Sequence, residues 1–145
     1  MKKIFLPFLL FPLSVFAAAK NVIDAPVHAV VDYVFDGDTF SAAVLMPDDI
    51  EIDVRVRIMQ IDTPEMAGEC DAEIAAAGRA RTHLAEILPA GSRVTLRGVR
   101  DDKYLGRIDA YVTTAAGADV GEMMIRAGHA RRYDGGRRQP WCENQ

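Results

Sequence analysis

The sequence predicts a mainly β domain with inserted helices, and three observations predict it. Between Val27 and Ile58, β-branched and apolar residues recur in three runs broken by short acidic turns, which read as strands of a meander. An alanine-rich stretch follows whose apolar positions fall at helical spacing, and then come two more strand-like runs separated by a polar turn. The chain is 145 residues long, half of them hydrophobic, with no internal repeat, so a single domain around one core accounts for it.

In order, the chain opens with Met1-Lys2-Lys3, an apolar run from Ile4 to Phe16, and Ala17-Ala18-Ala19. A basic start, a short apolar core and a small-residue exit make a secretory leader. Residues 1–19 are therefore expected to be removed, leaving residues 20–145 as one exported domain, periplasmic or secreted. The leader's core is shorter than the roughly 20 residues of a membrane-spanning helix, so no lasting membrane association is expected after cleavage.

Val27 to Phe35 forms the first strand, Asp36-Gly37-Asp38 the hairpin turn and Thr39 to Leu45 the second strand. Met46-Pro47-Asp48-Asp49 turns the chain again. Ile50, Ile52, Val54, Val56 and Ile58 then alternate with Glu51, Asp53, Arg55 and Arg57, the pattern of a half-buried strand with Arg57 on its polar face. A helix is expected from Asp71 to Leu88, with Ile74, Ala77, Ala80, Leu84, Ile87 and Leu88 on one stripe, and Pro89-Ala90-Gly91 ends it. Ser92 to Val99 is the fourth strand. The turn from Arg100 to Arg107 leads to the fifth, through Thr113, and Gly117 introduces a short helix from Asp119 to Ala127. Five strands with a helix between the third and fourth, and a short C-terminal helix, match a five-stranded Greek-key barrel of the OB-fold type.

Charge and rarer residues narrow the chemistry. The net charge of −4 becomes −6 once Lys2 and Lys3 leave with the leader, which disfavours approach to a polyanion. Arg126, Arg131, Arg132, Arg137 and Arg138 nevertheless gather near the C-terminus with only Asp134 against them, a local basic face. The two cysteines, Cys70 and Cys142, are expected to pair in an oxidising compartment, and a loop of that length is worth roughly 4 kcal/mol on the chain-entropy account. Trp141 is expected to pack over that bridge. His28, His83 and His129 have no partner at ligand spacing in the sequence, so they read as structural or solvent-facing and a zinc site is rejected.

Where the third strand ends, Asp62-Thr63-Pro64-Glu65 sets two acids and a hydroxyl on a loop that Pro64 stiffens, fixing its own φ and driving Thr63 extended. Oxygen donors on a rigid rim suit a hard cation. Asp36-Gly37-Asp38-Thr39 and Asp-Thr-Pro-Glu each pass for ordinary turns alone. Combined in this order with Arg57, with Asp102-Lys103-Tyr104-Leu105-Gly106-Arg107 beyond the helix, and with the close Arg126-Ala127-Gly128-His129-Ala130, the set resembles the staphylococcal nuclease family. The resemblance runs from about Val27 to Tyr133.

What the resemblance implies is a calcium-dependent phosphodiesterase on a five-stranded barrel, acting on DNA or RNA. Asp38 and Asp62 match the family's calcium ligands, and Thr63 matches the residue that binds the ion through its carbonyl. Arg57 and Arg107 match the phosphate-holding arginines, and Glu65 the acid assigned to the attacking water. Lys103, Tyr104 and Tyr133 resemble the residues that frame the nucleotide. Leu105 is one residue more than the family's usual run from tyrosine to glycine and bears on the reach of Arg107; a displaced Arg107 would make a slower enzyme rather than a dead one, since one lost transition-state donor costs about 3 kcal/mol. The residue types make sense without the name. A phosphodiester under attack gains charge on its equatorial oxygens, which a cation and two guanidinium forks stabilise, while a carboxylate orients and deprotonates water. The alternative is a barrel that binds nucleic acid without cutting it, which would lack some of these acids or arginines. No protein partner is implied.

Overall fold

The computed structural model describes residues 22–142; the predicted leader lies outside them. Its elements are β1 (Val22–Ile23), β2 (Val27–Val34), β3 (Thr39–Leu45), β4 (Glu51–Ile58), β5 (Ile61–Asp62), α1 (Asp71–Ile87), β6 (Arg93–Asp101), β7 (Arg107–Thr114), α2 (Val120–Arg126) and β8 (Arg131–Arg132). Strands β6, β2, β3, β4 and β7 lie side by side in that order, and β6 also pairs with β7, so the sheet closes on itself. The predicted five-stranded barrel is the observed one, with α1 between its third and fourth strands. Every barrel pairing is antiparallel except β4 with β7. That parallel pair exists because α1 and β6 intervene in sequence, giving the chain length it needs to return in the same direction.

The barrel interior is filled from alternate positions of each strand: Val31, Phe40, Val56, Ile58, Leu96 and Val112 are all buried. Ala80 and Leu84 on α1, Leu88 just after it and Met124 on α2 join the same core. Where β6 turns between its two partners, its register with β7 shifts between Arg97 and Arg100, and Gly98 there has φ +58° with the Tyr111 ring 3.3 Å from where a Cβ would stand. A bulge of this kind bends a strand round a barrel corner.

Two predicted burial patterns are corrected. Ile50 and Ile52, read as core-facing, are exposed, because the β3–β4 hairpin runs past the barrel end at its Pro47–Asp49 turn. In α1, Ile74 is exposed while Glu73 is buried. The helix has rotated its first turn so that a carboxylate, not an isoleucine, faces the loop before it.

Candidate active site

The site begins with a close approach between two loops. The β2–β3 hairpin turn is held by Phe35 N–H donating to the Thr39 carbonyl at 2.9 Å and by Asp38 N–H donating to Asp36 Oδ1 at 3.1 Å. It lies against the Asp62–Thr63 loop and α1 so tightly that a Cβ on Gly37 would sit 2.8 Å from Ala80 Cβ and 3.0 Å from Thr63 Cβ. Glycine is what lets the two acidic loops meet. Asp38, Asp62 and Thr63 are all buried there.

Register then delivers the arginines. Thr39 stands opposite Arg57 in the β3–β4 ladder and Ile58 N–H donates to the Asp38 carbonyl at 2.8 Å, so Arg57 and Asp38 are neighbours, with Nη2 3.4 Å from Oδ2. In the parallel β4–β7 ladder Arg55 stands opposite Arg107, which places Arg107 beside Arg57's strand. Its guanidinium pairs with Asp102 and lies 4.4 Å over the Tyr104 ring. The inserted Leu105 is fully exposed and Gly106 takes φ +77°, so the extra residue is spent outward. Arg107 is the first residue of β7.

Asp38, Arg57, Glu65, Lys103, Tyr104, Arg107 and Tyr133 line one open cavity of about 580 Å³. Asp62 opens into an adjoining cavity of about 440 Å³ that shares Glu65 with the first. Of the nine residues expected at the site, eight therefore line these two adjoining cavities, and Thr63 is buried beside the hairpin turn at Gly37. Glu65 is exposed and its loop is fixed from behind: the buried Glu73 carboxylate accepts from Glu65 N–H at 3.2 Å and from Glu69 N–H at 3.0 Å.

The electrostatics are those of too many acids in one place. Burial, and then the charge of Asp38, push the Asp36 carboxyl up to about 6. Burial raises Asp62 as well, against the pull of Arg138 and the Trp141 hydrogen bond, with Asp38 and Glu65 adding to the rise. At Asp102 burial opposes ionisation, but the Arg107 hydrogen bond and charge prevail and the carboxyl is held low. Asp62 Oδ1 is buried without a hydrogen bond; Arg138 Nε lies 3.2 Å from it, within ion-pairing range but poorly aligned to donate. A buried carboxylate oxygen with a spare lone pair, beside a second buried aspartate, fits a hard oxygen-seeking cation. The other acid and sulfur grouping, Cys70, Cys142 and Glu73, does not, because both sulfurs are joined in a disulfide.

Sequence reasoning missed two contributors. Arg138 pairs with both Asp62 and Glu65. The Trp141 indole N–H donates to Asp62 Oδ2 at 3.0 Å under a stacked Arg131. No spacing rule could link these, since 79 residues separate Trp141 from Asp62; only the bridge from Cys142 to Cys70 hinted that the tail returns to this loop. His83 and His129, read as unrelated, have ring centroids 4.8 Å apart, although among the described residues they gather no third ligand.

A model of the family described as Staphylococcal nuclease homologue matches residues 55–144. None of the curated proteins matches the chain. The family match takes in Arg57, the acidic loop, Arg107 and the C-terminal segment, and the hairpin with Asp38 precedes it.

Proposed function

The chain belongs to the staphylococcal nuclease family, and from that premise we propose that it is an exported, calcium-dependent phosphodiesterase that hydrolyses DNA or RNA. The observation that carries this reading is the convergence of Asp38, Arg57, Glu65 and Arg107 on one cavity, with the unsatisfied Asp62 Oδ1 beside it.

Asp38, Asp62 and the Thr63 carbonyl would hold the cation, which when bound supplies positive charge against the phosphodiester oxygens. Arg57 and Arg107 leave their acid partners to direct planar forks at the non-bridging oxygens, a task lysine performs less well because its ammonium is a point charge. Glu65, exposed at the cavity rim, orients a water and takes its proton as the water oxygen bonds to phosphorus. The bond from phosphorus to the leaving sugar oxygen breaks, and that oxygen is protonated from solvent. Tyr104, Lys103 and Tyr133 frame the nucleotide, with the Arg107 and Lys103 cations over the Tyr104 ring holding one wall. Export is supported by the leader-like start and by a disulfide, which persists in oxidising compartments. Among the described residues no helix is long and apolar enough to cross a membrane.

The test is cleavage of plasmid DNA and of RNA by the purified chain with calcium and then with chelator. Chelator should abolish cleavage. Glu65→Gln should lower kcat by about 100-fold or more, and Arg107→Ala by a comparable factor, in line with loss of a general base or of one transition-state donor. Cleavage that ignores chelator, or a fully active Glu65→Gln, refutes the assignment. Binding of polynucleotide with no cleavage under any divalent cation would favour the non-catalytic barrel.

A further inference from the structure

The C-terminal segment from Tyr133 to Cys142 returns across the acidic loop. We propose that Arg138 is a further substrate-phosphate residue, carried into the cavity by a strap that the Cys70–Cys142 bridge holds in place; the inference rests on the nuclease reading above.

Arg138 lines the same cavity as Arg57 and Arg107. It is in the same condition as they are: Arg57 rests on Asp38, Arg107 on Asp102, and Arg138 on Asp62 and Glu65. Its guanidinium also lies 5.8 Å from the centroid of Tyr133, one of the residues expected to frame the nucleotide. A fork with five donors that meets one carboxylate at each of two nitrogens is suited to exchange them for a phosphate, whose oxygens offer the same acceptor geometry.

Charge balance gives the exchange a reason. The cavity sets Arg55, Arg57, Lys103, Arg107 and Arg138 against Asp36, Asp38 and Glu65, a local excess of positive charge in a chain whose net charge is −4. Arg138 supplies one of the four guanidinium groups in that excess, on the side of the cavity that adjoins Asp62.

The strap is built to hold Arg138 still. Residues 134–140 are all exposed and bury no apolar side chain, so by themselves they would fray. Cys142 is bonded to Cys70, Trp141 donates to Asp62, and Arg131 both stacks 3.6 Å over the indole and donates to the Pro140 carbonyl at 3.0 Å. Tyr133 Oη donates to the Gly136 carbonyl at 2.7 Å and closes the preceding turn. Arg138 sits between these anchors. A side chain ordered beforehand loses less entropy when it binds, which is what a substrate contact gains from such a tether.

The test uses the full oxidised chain and a fluorescently labelled single-stranded oligodeoxynucleotide, with chelator present so that binding is read without turnover. Arg138→Gln should weaken binding several-fold and reduce the slope of log affinity against log salt by about 0.7, the value for one phosphate contact on a single strand. Arg138→Lys should keep that slope and still lose affinity, because it retains the charge without the fork. Arg126→Gln, exposed on α2 and outside the cavity, should match the wild type. The Cys70→Ser/Cys142→Ser pair should move with Arg138→Gln; if it fails to fold, the two Arg138 variants decide the matter alone. An Arg138→Gln protein that melts lower yet binds with wild-type affinity and slope overturns the inference, since the guanidinium then only neutralises Asp62 and Glu65. A wild type that neither binds nor cuts polynucleotide refutes the nuclease reading and this inference with it. A wild type that cuts, beside an Arg138→Gln that binds equally well, refutes this inference alone.

Discussion

His129 shows how a residue dismissed on its neighbours in sequence acquires them in space. It follows α2, His83 lies on α1, and helix packing brings the two rings together. Burial, and then the nearby His83 and Arg79 charges, lower the His129 pKa, with Glu86 opposing them. The depressed folded value means that the unfolded chain binds more protons below the ordinary value of 6.5, so stability is complete above that pH and is lost as the pH falls through it, levelling off below the folded pKa. Between pH 7 and pH 5 the raised Asp36 carboxyl works in the opposite direction in both proteins, so the melting temperature of the wild type should fall relative to that of His129→Gln as the pH is lowered. An identical pH profile in the variant would assign the decline elsewhere. Leu105 teaches the complementary point: the insertion was legible in the sequence, but the outward course of the extra residue, beside a left-handed glycine, was not.

At the level of elements, what could be read from the sequence was whatever depended on local pattern. The strands from Val27 to Ile58, the turn at Asp36-Gly37-Asp38, α1 and α2 all stand within a residue or two of expectation, because period, turn chemistry and helix stops are local signals. The misreadings came where an element outran the core it was assumed to cover. Ile50 and Ile52 keep strand alternation perfectly and still face water, since alternation sets which face a side chain takes and not whether anything lies opposite. Ile74 and Glu73 exchanged expected roles because the Glu65 and Glu69 amides needed an acceptor. The contact between hairpin turn and acidic loop belongs to this scale too. Gly37→Ala should cost about 1–3 kcal/mol by overpacking against Ala80 and Thr63. On the proposed calcium assignment it should also weaken binding of that ion by calorimetry, as the turn bearing Asp38 is pushed off the loop bearing Asp62. A variant with unchanged melting point and affinity would show that the two loops give way freely.

For the molecule as a whole, the barrel topology and the disulfide were expected and found, whereas the path of the tail was not. Topology follows from the number and order of strands, which the chain displays; the tail has no periodicity to display, and its course is set by one bridge and a few polar contacts. Reduction should therefore have two separable effects. The melting temperature should fall on the order of 10 °C as roughly 4 kcal/mol of loop-closure stabilisation is lost, and the fluorescence of Trp141, the only tryptophan, should change as its indole leaves Asp62. A reduced protein with the same melting temperature and the same emission would mean that the tail stays docked unaided.

The parallel β4–β7 pair has a consequence for biosynthesis. Arg57 emerges from the ribosome some fifty residues before Arg107, and the barrel cannot close until β7 arrives to pair with both β4 and β6. Cys142, the clasp on the tail, is translated later still. A nascent chain therefore carries its acids and its first arginine before it can assemble them, so the site is completed only after the last of its elements has been made.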